Sequence, residues 1–145
     1  MMKTLLIYCF AFILSGTTAT FAQNSISGIW KTGDNKYLVK IDRLGEKATG
    51  RIVWLENATD ATGKPVLDKN NPNAKMRNLP IKGLKIIEDM VYNAENKSWE
   101  GGILYWPENG VTYNCRITPK GNSLALSLWQ NDPSSTKTMS WSRKQ

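Results

Sequence analysis

The densest group of residues able to do chemistry lies between Gly63 and Lys85, where Lys64, Lys69, Lys75, Arg77, Lys82 and Lys85 accompany a single acid, Asp68. That local excess of positive charge suits an anion. Arg77 can offer its planar guanidinium to a carboxylate or phosphate through two parallel hydrogen bonds, Asn71 can add a neutral donor, and Asp68 can orient either one. A plainer reading pairs Asp68 and Arg77 with each other or with backbone, stiffens the segment with Pro72 and Pro80, and leaves the lysines as a solvated face. The segment is too polar and proline-rich for a strand or helix and too long for a hairpin turn. Connections of that length in compact domains are usually functional or disordered.

A second group follows at Trp99-Glu100-Gly101-Gly102-Ile103-Leu104-Tyr105. A strand of period two places Trp99, Gly101, Ile103 and Tyr105 on one face, with Gly101 leaving a gap beside the indole where a ligand or another backbone can approach. The competing expectation is a bulge or barrel corner with Trp99 packed in the core. Two further constellations carry less weight. A calcium site on Asp68, Asn70 and Asn73 is crowded by Lys64, Lys69 and Lys75, and a glycosidase-like pair of Asp68 with Glu100 requires an approach that the sequence does not show.

Absences narrow the chemistry further. The chain has no histidine, which excludes a Ser-His-Asp triad, a Cys-His pair and a His-ligated zinc site. Its two cysteines are Cys9 and Cys115. With Cys9 inside a predicted leader, neither a Cys-x-x-Cys pair nor a cysteine zinc cage is available, and no Gly-rich phosphate loop occurs. No metal and no cofactor is therefore expected. Catalysis would have to use carboxylate, Lys, Tyr or Ser chemistry, or a lone thiol.

The elements that position these residues read as short strands. Val111 to Thr118 alternates apolar and polar residues without exception, placing Tyr113 and Cys115 with Val111 and Ile117 on the inner face. Asn122 to Leu128, Thr138 to Ser142 and Lys36 to Asp42 repeat the pattern. Gly28 to Thr32, Thr49 to Leu55 and Trp99 to Trp106 are further candidates, and Leu84 to Val91 is read as a strand although Leu84, Ile87 and Val91 also suit a helix. Gly, Asn and Pro clusters separate these elements, among them Pro107-Glu108-Asn109-Gly110, where a glycine supplies the positive φ that a tight hairpin needs. About eight short strands joined by hairpins predict an all-β, antiparallel, lipocalin-like closed or nearly closed barrel, since closure removes exposed edges. An open sandwich is the alternative. An outer-membrane barrel would need strands of about 9–11 residues and a lipid-facing apolar band, so the chain is not expected to span a membrane.

Residues 1–22 carry Lys3, an apolar run from Leu5 to Leu14 and small residues ending at Ala22, the pattern of a secretory signal cleaved there. The run is too short for a membrane anchor, which needs about 20 apolar residues. Cys9 sits in its middle rather than at its end, which argues against lipid tethering. Residues 23–145 then form a single barrel domain that is periplasmic or secreted. All three phenylalanines leave with the leader and all six tryptophans remain, so the mature aromatics are Trp and Tyr, rings suited to a core or to a cavity wall. Losing Lys3 leaves 18 basic residues against 12 acidic, net +6. That balance fits anionic envelope components, and export keeps the chain away from nucleic acid, so no nucleic-acid partner is expected.

Gly28-Ile29-Trp30, Gly50-Arg51-Ile52-Val53, Gly63-Lys64 with Asp68, Asn71-Pro72, Arg77 and Gly83, Trp99-Glu100-Gly101-Gly102-Ile103 with Tyr105, Pro107, Gly110 and Tyr113, and Trp141-Ser142-Arg143 occur in that order. In order and spacing the chain resembles the bacterial domain-of-unknown-function family 2147 over essentially its whole mature length. The resemblance implies an exported, lipocalin-like barrel with no established activity. One departure is Trp106, where the family tends to carry an acidic or polar residue before the proline. The leading expectation is a non-enzymatic barrel binding a small amphipathic or anionic envelope molecule, with Asp68, Asn71, Arg77, Trp99, Gly101, Tyr105 and Tyr113 as candidate ligand-binding residues and none catalytic. The alternatives are a carboxylate-dependent envelope hydrolase or lyase, and a basic interaction module for an acidic envelope partner.

Overall fold

Eight antiparallel strands close into a barrel in a computed structural model that describes residues 25–145. The leader read at residues 1–22 lies outside the described residues. The strands are β1 (Gly28–Lys31), β2 (Tyr37–Leu44), β3 (Lys47–Leu55), β4 (Lys85–Asn93), β5 (Ser98–Trp106), β6 (Val111–Lys120), β7 (Ser123–Trp129) and β8 (Lys137–Arg143). Each pairs with the next and β8 returns to β1, so no sheet edge is left open. All eight expected strands are present, including the segment that could have been a helix. Its period of two fails because Asp89 takes a positive φ of 57° and Ile86 and Ile87 are both buried, the local signature of a bulge.

Alternation along the strands sets the core. On β6, Tyr113, Cys115 and Ile117 are buried while Thr112, Asn114 and Arg116 are exposed. Trp30, Trp99 and Trp141 are among the largest fully buried side chains, packed with Ile41, Ile52, Leu104 and Leu126 in one cluster. Strand length does not separate this barrel from an outer-membrane one, contrary to expectation: β3, β4 and β5 have 9 residues each and β6 has 10. The facing does so instead, because the interior is apolar and packed while β6 turns its polar side chains outward. No helix among the described residues is long and apolar enough to cross a membrane.

Because the strands run up and down in sequence, their connections alternate between the two ends of the barrel. Residues 32–36, 56–84, 107–110 and 130–136 gather at one end, the short turns at the other. The β1–β8 seam is narrow, with two register pairs, Trp30 with Arg143 and Lys31 with Ser142. It is reinforced by the Arg143 guanidinium, which lies 4.1 Å from the Trp30 ring centroid and donates to the Ser27 carbonyl at 3.0 Å. Gly28 makes this possible, since a Cβ there would meet Arg143 Nη1 at 2.5 Å.

Candidate functional site

The connection between β3 and β4 is folded rather than slack. Ile81 N donates to Val66 O at 3.0 Å and Asp68 N to Leu79 O at 2.9 Å, a small antiparallel ladder whose tip is the 3₁₀ turn Ala74–Met76. Asn73 caps that turn by accepting from Lys75 N at 3.1 Å. The returning limb joins β3, with Gly83 N on Ile52 O at 2.7 Å. Ile81 is buried in the barrel cluster and Val66 packs against it, so apolar burial and backbone pairing together hold the loop on the rim.

Asp68 is the centre of the loop. It is fully buried, and both its oxygens are occupied: Tyr105 Oη donates to Oδ1 at 2.8 Å and Asn71 Nδ2 to Oδ2 at 2.7 Å. Asn71 Oδ1 in turn accepts from Asn73 N at 2.9 Å, and Arg77 Nε donates to Asn71 O at 2.7 Å. Burial, then the hydrogen bond to Asp68 and its charge, pushes the Tyr105 hydroxyl well above the usual phenol range, which keeps it a donor. The structure thus unites four predicted residues, Asp68, Asn71, Arg77 and Tyr105. Their polar groups serve one another. A fully buried carboxylate with a protein donor already on each oxygen is built to hold the loop together rather than to meet a substrate. Arg77 spends its Nε on backbone, and the residue stands exposed.

The loop also locks to the β5–β6 hairpin. Asn70 Nδ2 donates to Glu108 O at 2.8 Å, and Asn70 O approaches Gly110 so closely that a Cβ there would collide with it. Gly110 has φ 67°, so it is required twice, for the turn and for the contact.

The expectation that Trp99, Gly101, Ile103 and Tyr105 share a face is overturned. A bulge interrupts the β5–β6 register between Trp99 and Gly102. Trp99 points inward, but after the bulge Gly102, Leu104 and Trp106 do so, leaving Ile103 outside and Tyr105 half-buried beneath the loop. Gly101 is exposed at φ 75° with open space where a Cβ would stand. It is a bulge residue, not a gap beside the indole. Trp99 sits in the core against Tyr92, at 5.5 Å between centroids, and beneath Arg43 at 5.6 Å. Glu100 lies toward the opposite end of β5 from Tyr105, bonded to Ser98 at 2.6 Å and Arg116 at 3.0 Å; the Ser98 hydrogen bond is the main cause that holds its carboxyl below the usual range. Asp68 and Glu100 are therefore not brought together as a pair.

Tyr113 stands where it was expected, on the inner wall, with its hydroxyl accepting from Asn109 Nδ2 at 3.0 Å. It borders a groove of about 320 Å³ shared with Trp129 and Lys137. Next to it, where the 32–36 turn meets β8, a mainly apolar groove of about 210 Å³ opens against Trp106, Met139 and Trp141. A third, about 220 Å³, lies between Tyr37, Leu55, Val66 and Ile81. Tyr37 and Trp106 meet edge to face at 5.5 Å. The loop-bearing end is thus rimmed on its inner side by Tyr37, Trp106, Tyr113 and Trp141. Trp106 and Trp141 are not among the sequence candidates. Their alternation with neighbours identifies them as inward-facing, but only barrel closure brings β5 and β8 to the same mouth. Among the described residues, no group of three or more acidic or cysteine side chains is placed to hold a metal ion.

Residues 28–143 match the model of a family described as an uncharacterized protein conserved in bacteria, DUF2147. No curated protein matches the chain. Among solved structures it is similar to protein HP1028 from Helicobacter pylori, described as belonging to the lipocalin family, at 25% identity and a TM-score of 0.70, covering 83% of this chain and 84% of that one. The order of motifs, the closed barrel and the span of the family match agree, and the chain belongs to the bacterial DUF2147 family, with a lipocalin-like fold.

Proposed function

We propose that this protein is an exported, non-enzymatic barrel that binds a small amphipathic molecule at its loop-bearing end. The observation that carries the reading is the ring of Tyr37, Trp106, Tyr113 and Trp141 at that mouth, with the 210 and 320 Å³ grooves opening beside it. Aromatic rings with polar tips suit a guest that is apolar on one side and wet on the other, and with the eight-stranded interior filled by side chains the guest sits in the grooves at the mouth. Lys137 at the wider groove offers a positive charge to an anionic end. Export rests on the leader pattern of residues 1–22. The cluster at Asp68 shapes the rim, because the carboxylate is fully buried and each of its oxygens already has a donor within the protein.

Native mass spectrometry of the protein purified from its own envelope tests this directly. A retained small molecule that quenches tryptophan emission on re-addition is the expected result, with quenching reduced in Met139→Asp. Protein that is ligand-free as isolated and unresponsive to an envelope lipid extract would overturn the reading.

A further inference from the structure

On the outer wall, where the returning limb of the long loop runs beside β3 and β4, lies the most voluminous of the grooves described, about 420 Å³. Its floor is apolar: Met76, Leu79 and Leu84 line it, and Leu79 is 42% exposed, a large apolar side chain left open to water. Its edge is cationic, from Arg51, Lys82 and Lys85. Arg51 and Lys85 are direct cross-strand partners. Like charges placed opposite one another on adjacent strands destabilise a sheet, so something must offset them. Glu88 neutralises Lys85 at 2.9 Å. Arg51 spends Nη1 on Gly83 O at 3.1 Å, and among the described residues neither Arg51 nor Lys82 has a carboxylate partner. Two unneutralised cations thus flank an exposed apolar trough.

We propose that this outer groove is a second binding site, for a monomeric medium-chain alkyl carboxylate whose head pairs with Arg51 and Lys82 and whose chain lies along Leu79 and Met76. The site is separate from the mouth, which faces the barrel interior, and does not rest on the reading given for it. The shape favours a single molecule over a membrane surface, because the trough is concave and its volume falls within the range of about 300–1,000 Å³ typical of small-molecule sites. The Arg51 guanidinium keeps one hydrogen bond to Gly83 O and offers its remaining N–H groups in a planar fork, which favours a carboxylate over a diffuse counterion.

The test is a titration of isotopically labelled protein with decanoate, followed by backbone amide shifts, with decanol as the uncharged control and phosphatidylglycerol vesicles as a separate arm. The expected result is saturable one-to-one binding that moves the amides of Arg51, Leu79 and 82–85, with decanol bound at least about tenfold more weakly, as loss of an anion's pairing with two cations implies. Lys82→Gln and Leu79→Ser should each weaken decanoate about fivefold or more, a scale set by one charge-assisted hydrogen bond or one apolar contact. Both are surface changes, so they keep the test valid if Arg51→Gln loosens the loop. Shifts confined to Thr32, Gly33 and 139–141 would overturn the groove while supporting the mouth. Vesicle binding without monomer binding, or decanol binding as well as decanoate, would also overturn it.

Discussion

The Tyr105 hydroxyl donates to Asp68 Oδ1 at 2.8 Å and so ties strand β5 to a loop residue 37 positions earlier in the chain. The bond is part-buried beneath the loop, and its acceptor Asp68 is fully buried. Tyr105→Phe leaves one oxygen of a buried carboxylate without its donor and should cost about 1–3 kcal/mol. Asp68→Ala should cost a similar amount, and the double variant clearly less than the two together, since the residues act as a unit. Urea midpoints measure this, and trypsin cleavage within residues 64–77 should accelerate in each variant. Strict additivity would show that the two residues are not coupled.

Arg77 and Lys75 are neighbours with unequal roles. Arg77 Nε donates to Asn71 O at 2.7 Å, a bond that a lysine ammonium cannot reproduce in the same geometry. Arg77→Lys should cost about 0.5–1.5 kcal/mol, whereas Lys75→Ala should stay within about 0.5 kcal/mol of the wild type. Equal midpoints for both variants would remove Arg77 from the loop's framework.

The paired glycines of β5 should behave in opposite ways. At Gly101 a Cβ meets nothing, so Gly101→Ala pays only for its positive φ of 75°, about 1–2 kcal/mol. At Gly102 a Cβ would run into the Glu88 carbonyl and the Met90 backbone and sulfur, so Gly102→Ala must push β4 and β5 apart. Denaturation midpoints should place Gly102→Ala well below Gly101→Ala. Tryptophan emission should be unchanged in the latter, because Gly101 is outside the barrel.

Gly28, Trp30 and Arg143 form a unit at the β1–β8 seam. Arg143→Met removes the cation from the Trp30 face and should cost about 0.5–2 kcal/mol. Gly28→Ala crowds the same guanidinium. Its cost should therefore shrink in the Arg143→Met background to the strain of its own backbone, φ 136°. A cycle of equilibrium unfolding measurements checks this, and an undiminished cost would place the crowding elsewhere.

Alkaline pH should weaken the fold. Burial pushes the Cys115 thiol from 9.0 up to about 12, and burial with the nearby Glu108 charge raises the Tyr37 hydroxyl from 10.0 to about 12. The unfolded chain releases these protons first. The stability that their protonated forms contribute is thus present in full below about pH 9 and is lost as pH climbs toward 12. Unfolding midpoints across that window should fall, and less steeply in Cys115→Ala. Thiol reagents should not modify Cys115 in the folded protein, since it is 1% exposed.

Much of this was legible beforehand for a physical reason. Alternation reports which side of a strand meets the core, and it is written in the local sequence. Tyr113, Cys115 and Ile117 accordingly point inward as read. Closure follows because eight such strands have edges to satisfy. The irregularity at Gly101-Gly102 was legible only as one of two alternatives, a bulge with Trp99 in the core, and the register shifts of β2–β3 and β3–β4 were not read at all. A bulge depends on the partner strand as well as the bulged one, and the steric demand that sets Gly102 in place comes from Glu88 and Met90, more than ten residues away.

The amino-acid sequence by itself determined the strands, the facing of most of them, the family and the absence of histidine chemistry, because each is a property of residue type and near spacing. Only the tertiary structure decided what the charged loop does. Whether Asp68 faces an anion-binding Arg77 or a half-buried Tyr105 depends on a contact between segments far apart in the chain, and the buried carboxylate is satisfied by neutral donors without a second charge. The same holds for the mouth and the outer groove. Trp106 and Trp141 line one groove, and Arg51 and Lys82 another, only because the barrel closes and the loop folds back on its wall.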